Sequence, residues 1–345
     1  QLEWSLYDCM SLNLHLRTAN KVLFEVSSFI ANTPDEMYKK AKAVAWEKYI
    51  TDEDYISIGS FVKNEAILDT RFANLKFKDA VVDRLSEVLG ARPNSGPDKD
   101  RTCLFIHWLD QECVLYLDTS GQTIAKHGYR KIPGTAPLME TLAAAIILKT
   151  RWDKKSPVVN PMCGSGTLAI EAALIATNTA PGLFRNNFGF MHLLTYNPTE
   201  WEKLVLEAKN AVVDFHGKII ASDISANAVK VSATNAKAAG MDKYIAIQQC
   251  DFNNTEVPTG PGVVIFNPEY GERLGDEERL LETYRAIGDF FKKKCQGYWG
   301  YIFTGNMRLA KNVGLKTKRR MEMFNAQIDC RLLEYELYAG TKKMN

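Results

Sequence analysis

What the chain lacks narrows the field first. Its seven cysteines stand singly, with no CxxC pair. An odd number of dispersed thiols argues against a disulfide scaffold or a zinc site, and for a reducing, cytoplasmic setting. No apolar run is long enough to span a bilayer, and the N-terminus has no signal-peptide pattern. Neither sign of charge dominates: the formal net charge is +2 over 345 residues. Nucleic-acid binding is therefore not announced by charge, and any such footprint must be local. No G-x-S-x-G appears, and the five histidines suggest neither a metal cluster nor a hydride-handling site. The first 130 residues also lack a glycine-rich phosphate loop.

The most informative stretch is VVIFNPEYGERLG, residues 263–275. Val263–Phe266 is an apolar, β-favouring run suited to a strand buried on both faces. Asn267-Pro268 ends it, because proline cannot continue the ladder. An amide, a proline carbonyl and the Tyr270 ring would thus be presented at a strand's C-terminal end, where open α/β sheets bind ligands. Two acceptors, Asn267 and Pro268, suit the two hydrogens of a nucleobase amine, and Tyr270 suits stacking on an extracted base. A bare Asn-Pro is more often an ordinary turn; the buried strand before it and the aromatic after it favour a site, and the neighbouring strand ends must decide.

Three of them carry matching features. VVNPMCGSGTLAIEAALIA couples a strand, a glycine turn and a helix, with Asn160, Pro161, Cys163, Gly164, Gly166 and Thr167 around the turn. That spacing alone could equally hold a nicotinamide dinucleotide. Asp223, followed by Ile224, ends the next strand, where a carboxylate can accept ribose hydroxyls while Ser225 caps the following helix. Asp251 and Phe252 end a third, placed for an adenine amine and ring. Followed by Asn-Pro-x-Tyr, these ends point to S-adenosylmethionine as the cofactor.

Alternating elements from 157 onward predict a doubly wound, mostly parallel α/β sheet closed by an antiparallel hairpin over 319–340. The spans expected are strands 157–160, 218–222, 244–249, 263–266 and 298–303, with helices from about 167, over 225–239 and over 277–294. Residues 1–130 read as an α+β domain, 131–156 as a connector plus helix with a hinge at Lys131, Ile132, Pro133 and Gly134, and 157–345 as the catalytic domain. Residues 178–216 stand out as an insertion. LNLHLRTANKVLFEVSSFI, residues 12–30, is expected to open as a strand and continue as an apolar helix or strand. Because the chain opens on Gln1, the first domain is expected to be incomplete.

These segments together resemble the THUMP-containing class I methyltransferases that form N2-methylguanine in RNA, most closely those of bacterial 23S rRNA. RTANKVLFEV, LKFKDAVVDR and HGYRK with APLMETLAAA resemble the THUMP domain and its junction. PMCGSGTLAIEAALIA, FGFMHL, ASDISANAV, NPEYGERLG and RLLEYELY resemble the catalytic half. The resemblance implies an S-adenosylmethionine-dependent RNA methyltransferase with Pro161, Cys163, Gly164 and Gly166 on the methionine side, Asp223 on the ribose and Asp251 on the adenine. Asn267, Pro268 and Tyr270 would hold the target base. Two positions depart from the family pattern: Asn160 replaces an aspartate, and Glu269 replaces the second proline of Asn-Pro-Pro-Tyr. Lys76, Lys78, Lys316, Lys318, Arg319 and Arg320 are the expected phosphate contacts. A tRNA guanine methyltransferase, a DNA adenine methyltransferase and an inactive rRNA-assembly factor are the alternatives.

Overall fold

The computed structural model describes residues 5–65, 67, 69–132, 138–269 and 277–338. The chain divides into two compact units, Gln1–Ala125 with Ala180–Asn210, and Lys126–Thr179 with Ala211–Asn345. This differs from the continuous division at 130 and 157 expected from sequence. The connector from Lys126 belongs with the second unit, and most of the insertion belongs with the first.

The first unit begins with helix α1 (Leu6–His15), which replaces the strand expected at LNLHL. Ser5 accepts from the Asp8 N–H, and the Asp8 carboxylate takes the Ser5 N–H at 2.8 Å, a capping box that starts the helix. Cys9, Met10, Asn13 and Leu14 then fall on one buried helical face. The short alternation at 12–16 thus sits inside a stronger helical pattern that begins upstream.

Strands β1 (Leu23–Ile30), β2 (Tyr55–Lys63), β3 (Asn94–Ser95), β4 (Thr102–Leu109) and β5 (Glu112–Asp118) form a sheet in the order β1-β5-β4-β2-β3. β5 pairs antiparallel with β1 and β4, whereas β2 runs parallel to β4 and β3. Helix α2 (Pro34–Lys42) starts at a Thr33 cap, and α3 (Thr70–Leu89) stops at Gly90 in the left-handed conformation. Trp46, Ile56, Phe77, Val81, Leu104, Ile106, Trp108 and Leu115 belong to one buried core.

The insertion completes that core. Phe188 and Phe190 stack at 5.2 Å between centroids, and Trp201 of α6 (Pro198–Asn210) meets both edge-on. Its backbone is tied in as well: the Phe190 N–H donates to Thr119 O at 3.0 Å, and the Leu194 N–H to Tyr49 O at 2.9 Å. Gly189 is required there, since a Cβ would lie 2.2 Å from Asp118 O.

In the second unit, α4 (Glu140–Lys149) precedes β6 (Val158–Pro161), α5 (Thr167–Ala176), β7 (Ile219–Asp223), α7 (Ala226–Ala238), β8 (Ile245–Gln249) and β9 (Val263–Phe266). Then come α8 (Glu277–Lys294), β10 (Trp299–Thr304), the short α9 (Met307–Ala310), β11 (Arg319–Asn325) and β12 (Ile328–Glu336). The sheet order is β11-β12-β10-β9-β6-β7-β8; β12 is antiparallel to both neighbours, and the other pairs are parallel. This is the doubly wound sheet with a closing hairpin that the sequence predicts. β6 and β9 are neighbours, so the strand order reverses between them, and their C-terminal ends define the switch point. Phe266, Tyr284, Phe290, Phe291, Ile302 and Tyr335 fill the core on the α8 side. Among the described residues, no helix is long and apolar enough to cross a membrane.

Candidate active site

The site grows from the ends of β6, β7, β8 and β9. Asn160 is 1% exposed, and its Nδ2 donates to Ile265 O on the adjacent strand at 2.9 Å. The amide thus cross-links β6 to β9 at the switch point. An ionised aspartate could not donate to that carbonyl, which gives the departure at 160 a structural reason. Among the described residues, the buried Asn160 Oδ1 has no hydrogen-bond partner. The same holds for Oδ1 of Asn267, the first residue beyond β9. Orphaned buried acceptors are costly, and two at neighbouring strand ends make this edge a candidate place for donors from a ligand.

The glycine turn follows β6. The Cys163 N–H donates to Ser222 O at 2.9 Å, and the Gly166 N–H to Cys163 O at 2.9 Å, folding the chain back toward α5. Gly166 has a left-handed φ of 80°, and a Cβ there would sit 2.2 Å from Ser232 Oγ, so glycine is required for packing on α7. Gly164 differs: a Cβ would meet nothing within 4 Å. Its backbone therefore faces open space, and glycine there lets a ligand approach closely. Thr167 opens α5 and is buried. Burial and the Asp223 carboxylate push the Cys163 thiol up to about 12, which makes it a packing group rather than a nucleophile.

Asp223 serves as a bridge. Oδ2 accepts the Gly164 N–H and Oδ1 the Ser225 N–H, each at 2.9 Å, so one carboxylate joins the glycine turn to the start of α7. Ser225 caps that helix, as expected, by accepting from the Ala228 N–H. Ile224 is 69% exposed, an apolar side chain in solvent directly after the bridging acid. Asp251 accepts the Asn253 N–H at 2.8 Å and caps a short turn. The Phe252 ring is drawn into the core, edge-on to Phe266 at 5.6 Å and Phe290 at 6.1 Å. Pro268 is buried, whereas Glu269 is exposed and pairs with Arg279 at 2.9 Å. Tyr270 lies outside the described residues, as do Pro133 and Gly134 of the expected hinge.

The basic residues expected on a nucleic-acid footprint are mostly engaged. Lys76 pairs with Asp35 at 2.9 Å and lies over the Tyr38 and Phe72 rings, and Lys78 pairs with Asp79. Lys318 pairs with Glu336 at 2.7 Å, and Arg320 Nε reaches Thr317 Oγ1 at 3.3 Å; Lys316 is exposed. Arg319 has a structural role, since with Arg151 and Tyr301 it holds the fully buried Glu334 carboxylate. Burial acts to raise the Glu334 pKa, but hydrogen bonds from Arg319 and Tyr301 outweigh it and hold the carboxyl below its ordinary value. Arg319→Ala is accordingly expected to destabilise the second unit by about 1–2 kcal/mol, below the order for a fully buried pair because the guanidinium is half exposed and Arg151 and Tyr301 stay on the carboxylate. The loss should be full above the ordinary glutamate pKa near ~4.3 and shrink as pH falls through the lower folded value. Urea unfolding of both forms at pH 7 and pH 3 checks this; equal losses at the two pH values would show that Glu334 is not the partner that matters.

The family described as "RMKL-like, methyltransferase domain" matches residues 127–334, and the THUMP domain matches residues 31–118. The chain belongs to the RMKL-like methyltransferase family. It is 34% identical over 344 residues to a ribosomal RNA large subunit methyltransferase K/L of Syntrophotalea carbinolica, covering 96% of this chain and 48% of that protein. It is 32% identical to a putative RNA methyltransferase of Synechocystis sp., covering 95% of this chain and 85% of that one. A putative methyltransferase crystallised with SAH superposes with a TM-score of 0.87 at 27% identity, over 98% of this chain and 89% of that chain. The chain spans about half the length of the K/L methyltransferases it matches. Membership fits the sheet order, the glycine turn and the strand ends just described.

Three functional-looking features escaped the sequence. Arg130 reaches Ser165 and Thr167 at the turn, Asn235 of α7 grips both the connector and Ser165, and His127 pairs with Glu171 of α5 at 2.8 Å inside the second unit. HGYRK was visible as a segment, but its contacts to Ser165 and Asn235 reach 35 to 104 residues along the chain.

Proposed function

We propose that the chain transfers a methyl group from S-adenosylmethionine to the exocyclic N2 amine of a guanine in RNA, with 23S rRNA as the substrate and the cytoplasm as the setting. The observation that carries this is a pair of buried acceptors, Asn160 Oδ1 and Asn267 Oδ1, at the switch point, neither with a partner among the described residues. Beside them stands a glycine turn with open space at Gly164. S-adenosylmethionine would supply an activated methyl group on a sulfonium. Gly164 and Gly166 would let the backbone close on its methionine part, Asp223 would take ribose hydroxyls, and Asp251 would take the adenine amine over the Ile224 side chain.

The guanine amine is a weak nucleophile because its lone pair is delocalised into the ring. Asn267 Oδ1 and the Pro268 carbonyl would each accept one amine hydrogen and turn the lone pair toward the methyl carbon. Asn267 and Pro268 would hold the amine while its N–C bond replaced the C–S bond of the sulfonium, and the methylated amine would then lose its proton to water. Positioning supplies most of the acceleration, so no strong general base is required. The free cysteine thiols suit the cytoplasm. The THUMP domain favours RNA over DNA, and the match to K/L methyltransferases favours 23S rRNA over tRNA. Asn160 cross-links two strands, and Glu269 turns outward to Arg279, so neither departure favours an inactive assembly factor.

Calorimetric titration with S-adenosylhomocysteine tests the cofactor half. Saturable binding is expected, and Asp223→Ala should weaken it by about 1.5–3 kcal/mol, as for a lost charged hydrogen bond. Saturable NADH binding with no S-adenosylhomocysteine binding would overturn it. Tritiated methyl transfer to undermethylated 23S rRNA, followed by nuclease digestion, identifies the product.

A further inference from the structure

Three of the five residues from Met162 to Gly166 have left-handed backbone: Met162 at φ 56°, Gly164 at 56° and Gly166 at 80°. Local preference does not hold such a turn, least of all at Met162, whose Cβ disfavours that region. The shape must be imposed from outside. Asp223 secures one side through the Gly164 N–H.

The other side is secured from the connector. Arg130 Nη1 donates to Ser165 Oγ at 3.4 Å, and Nη2 to Thr167 Oγ1 at 3.1 Å and Leu138 O at 2.7 Å. Its Nε pairs with Glu140 at 3.0 Å, which keeps a charge of 12% exposure compensated. The Ser165 and Thr167 hydroxyls lie 3.1 Å apart, so one planar guanidinium spans both. Asn235, itself 1% exposed, locks the backbone that carries Arg130. It accepts from the Lys131 and Ile132 N–H groups at 3.0 and 3.1 Å and donates to Ile132 O at 3.2 Å and Ser165 O at 3.4 Å.

Resting on the cofactor reading above, we propose that Arg130 is a positioning residue that sets the ligand-ready shape of the 162–167 turn. It thereby governs cofactor affinity and leaves the chemical step untouched. It acts through Ser165 and Thr167 and need not touch the cofactor. Its energetic contribution is realised before binding, because a turn already held in shape costs less to order when the ligand arrives.

The test uses the full chain with Arg130→Met and Arg130→Lys. Arg130→Met should weaken S-adenosylhomocysteine binding by about 10–150-fold, the range for hydrogen bonds from a charged group. Arg130→Lys, which keeps a cation beside Glu140 but not the fork, should fall between it and wild type. KM for S-adenosylmethionine should rise in step, with kcat at saturating cofactor within about threefold of wild type. In the ligand-free protein, amide hydrogen exchange should quicken over 162–168 while β6, β7 and β10 keep their protection. Binding and exchange both like wild type in Arg130→Met would overturn the proposal, and so would faster exchange across the whole sheet. If Arg130→Met does not fold, the same comparison is made with Arg130→Lys. If wild type binds no S-adenosylhomocysteine, the cofactor reading fails, and the exchange comparison still decides the role of Arg130.

Discussion

Asn267→Ala is expected to lower methyl transfer by about 10²–10³ at saturating cofactor and RNA, the usual cost of removing one preorganised polar group aimed at the reacting atom. The side-chain oxygen is buried and has no hydrogen-bond partner, so the fold already bears the cost of an acceptor that nothing in the described protein uses. Alanine should consequently be tolerated without loss of stability, and S-adenosylhomocysteine affinity should change little, because the proposed clamp uses Asn267 on the base rather than on the cofactor. The measurement is single-turnover transfer of tritiated methyl to 23S rRNA fragments, beside calorimetry with S-adenosylhomocysteine on the same preparations. Transfer at the wild-type rate would refute the clamp and leave the methyltransferase assignment standing. A drop accompanied by an equal loss of cofactor affinity would place Asn267 on the cofactor instead.

The second unit was legible in the sequence almost strand by strand, and the reason is physical. Its strands are buried on both faces and read as short apolar runs, such as Val263–Phe266, separated by capped helices and glycine stops. The strand ends carried the site because parallel sheets put their ligands there. Three things were hidden. LNLHL alternates over five residues, but the Ser5–Asp8 capping box and the buried face from Cys9 to Leu14 outweigh it. The posts around the glycine turn, Arg130 and Asn235, act on residues far along the chain, and no local period betrays such a contact. The partners of the basic residues were equally invisible: Arg319 reads as a surface cation until Glu334 is found buried beside it.

The largest structural consequence concerns where the first unit ends. A fragment of residues 1–125 is expected not to fold, although it contains the whole span matched by the THUMP domain, 31–118. Residues 180–210 contribute Phe188, Phe190, Leu193 and Leu204 to the core of that unit, and each of the four is nearly inaccessible. Removing one buried phenylalanine typically costs about 3–5 kcal/mol. Losing Phe188 and Phe190 together, along with the packing of Trp201, would therefore use up most of the roughly 5–15 kcal/mol that keeps a domain folded. The broken hydrogen bonds at Thr119 and Tyr49 add to the loss. Joining residues 1–125 to 180–210 through a short glycine-serine linker should restore a cooperative thermal transition that the 1–125 fragment lacks. Circular dichroism melts of the two polypeptides decide it. A cooperative melt of residues 1–125 alone, with the same midpoint as the joined form, would show that the insertion merely rests on a unit already complete. In the full chain, Phe188→Ala should lower the transition of the first unit by several degrees. S-adenosylhomocysteine binding should persist, since the residues assigned to the cofactor all lie in the second unit.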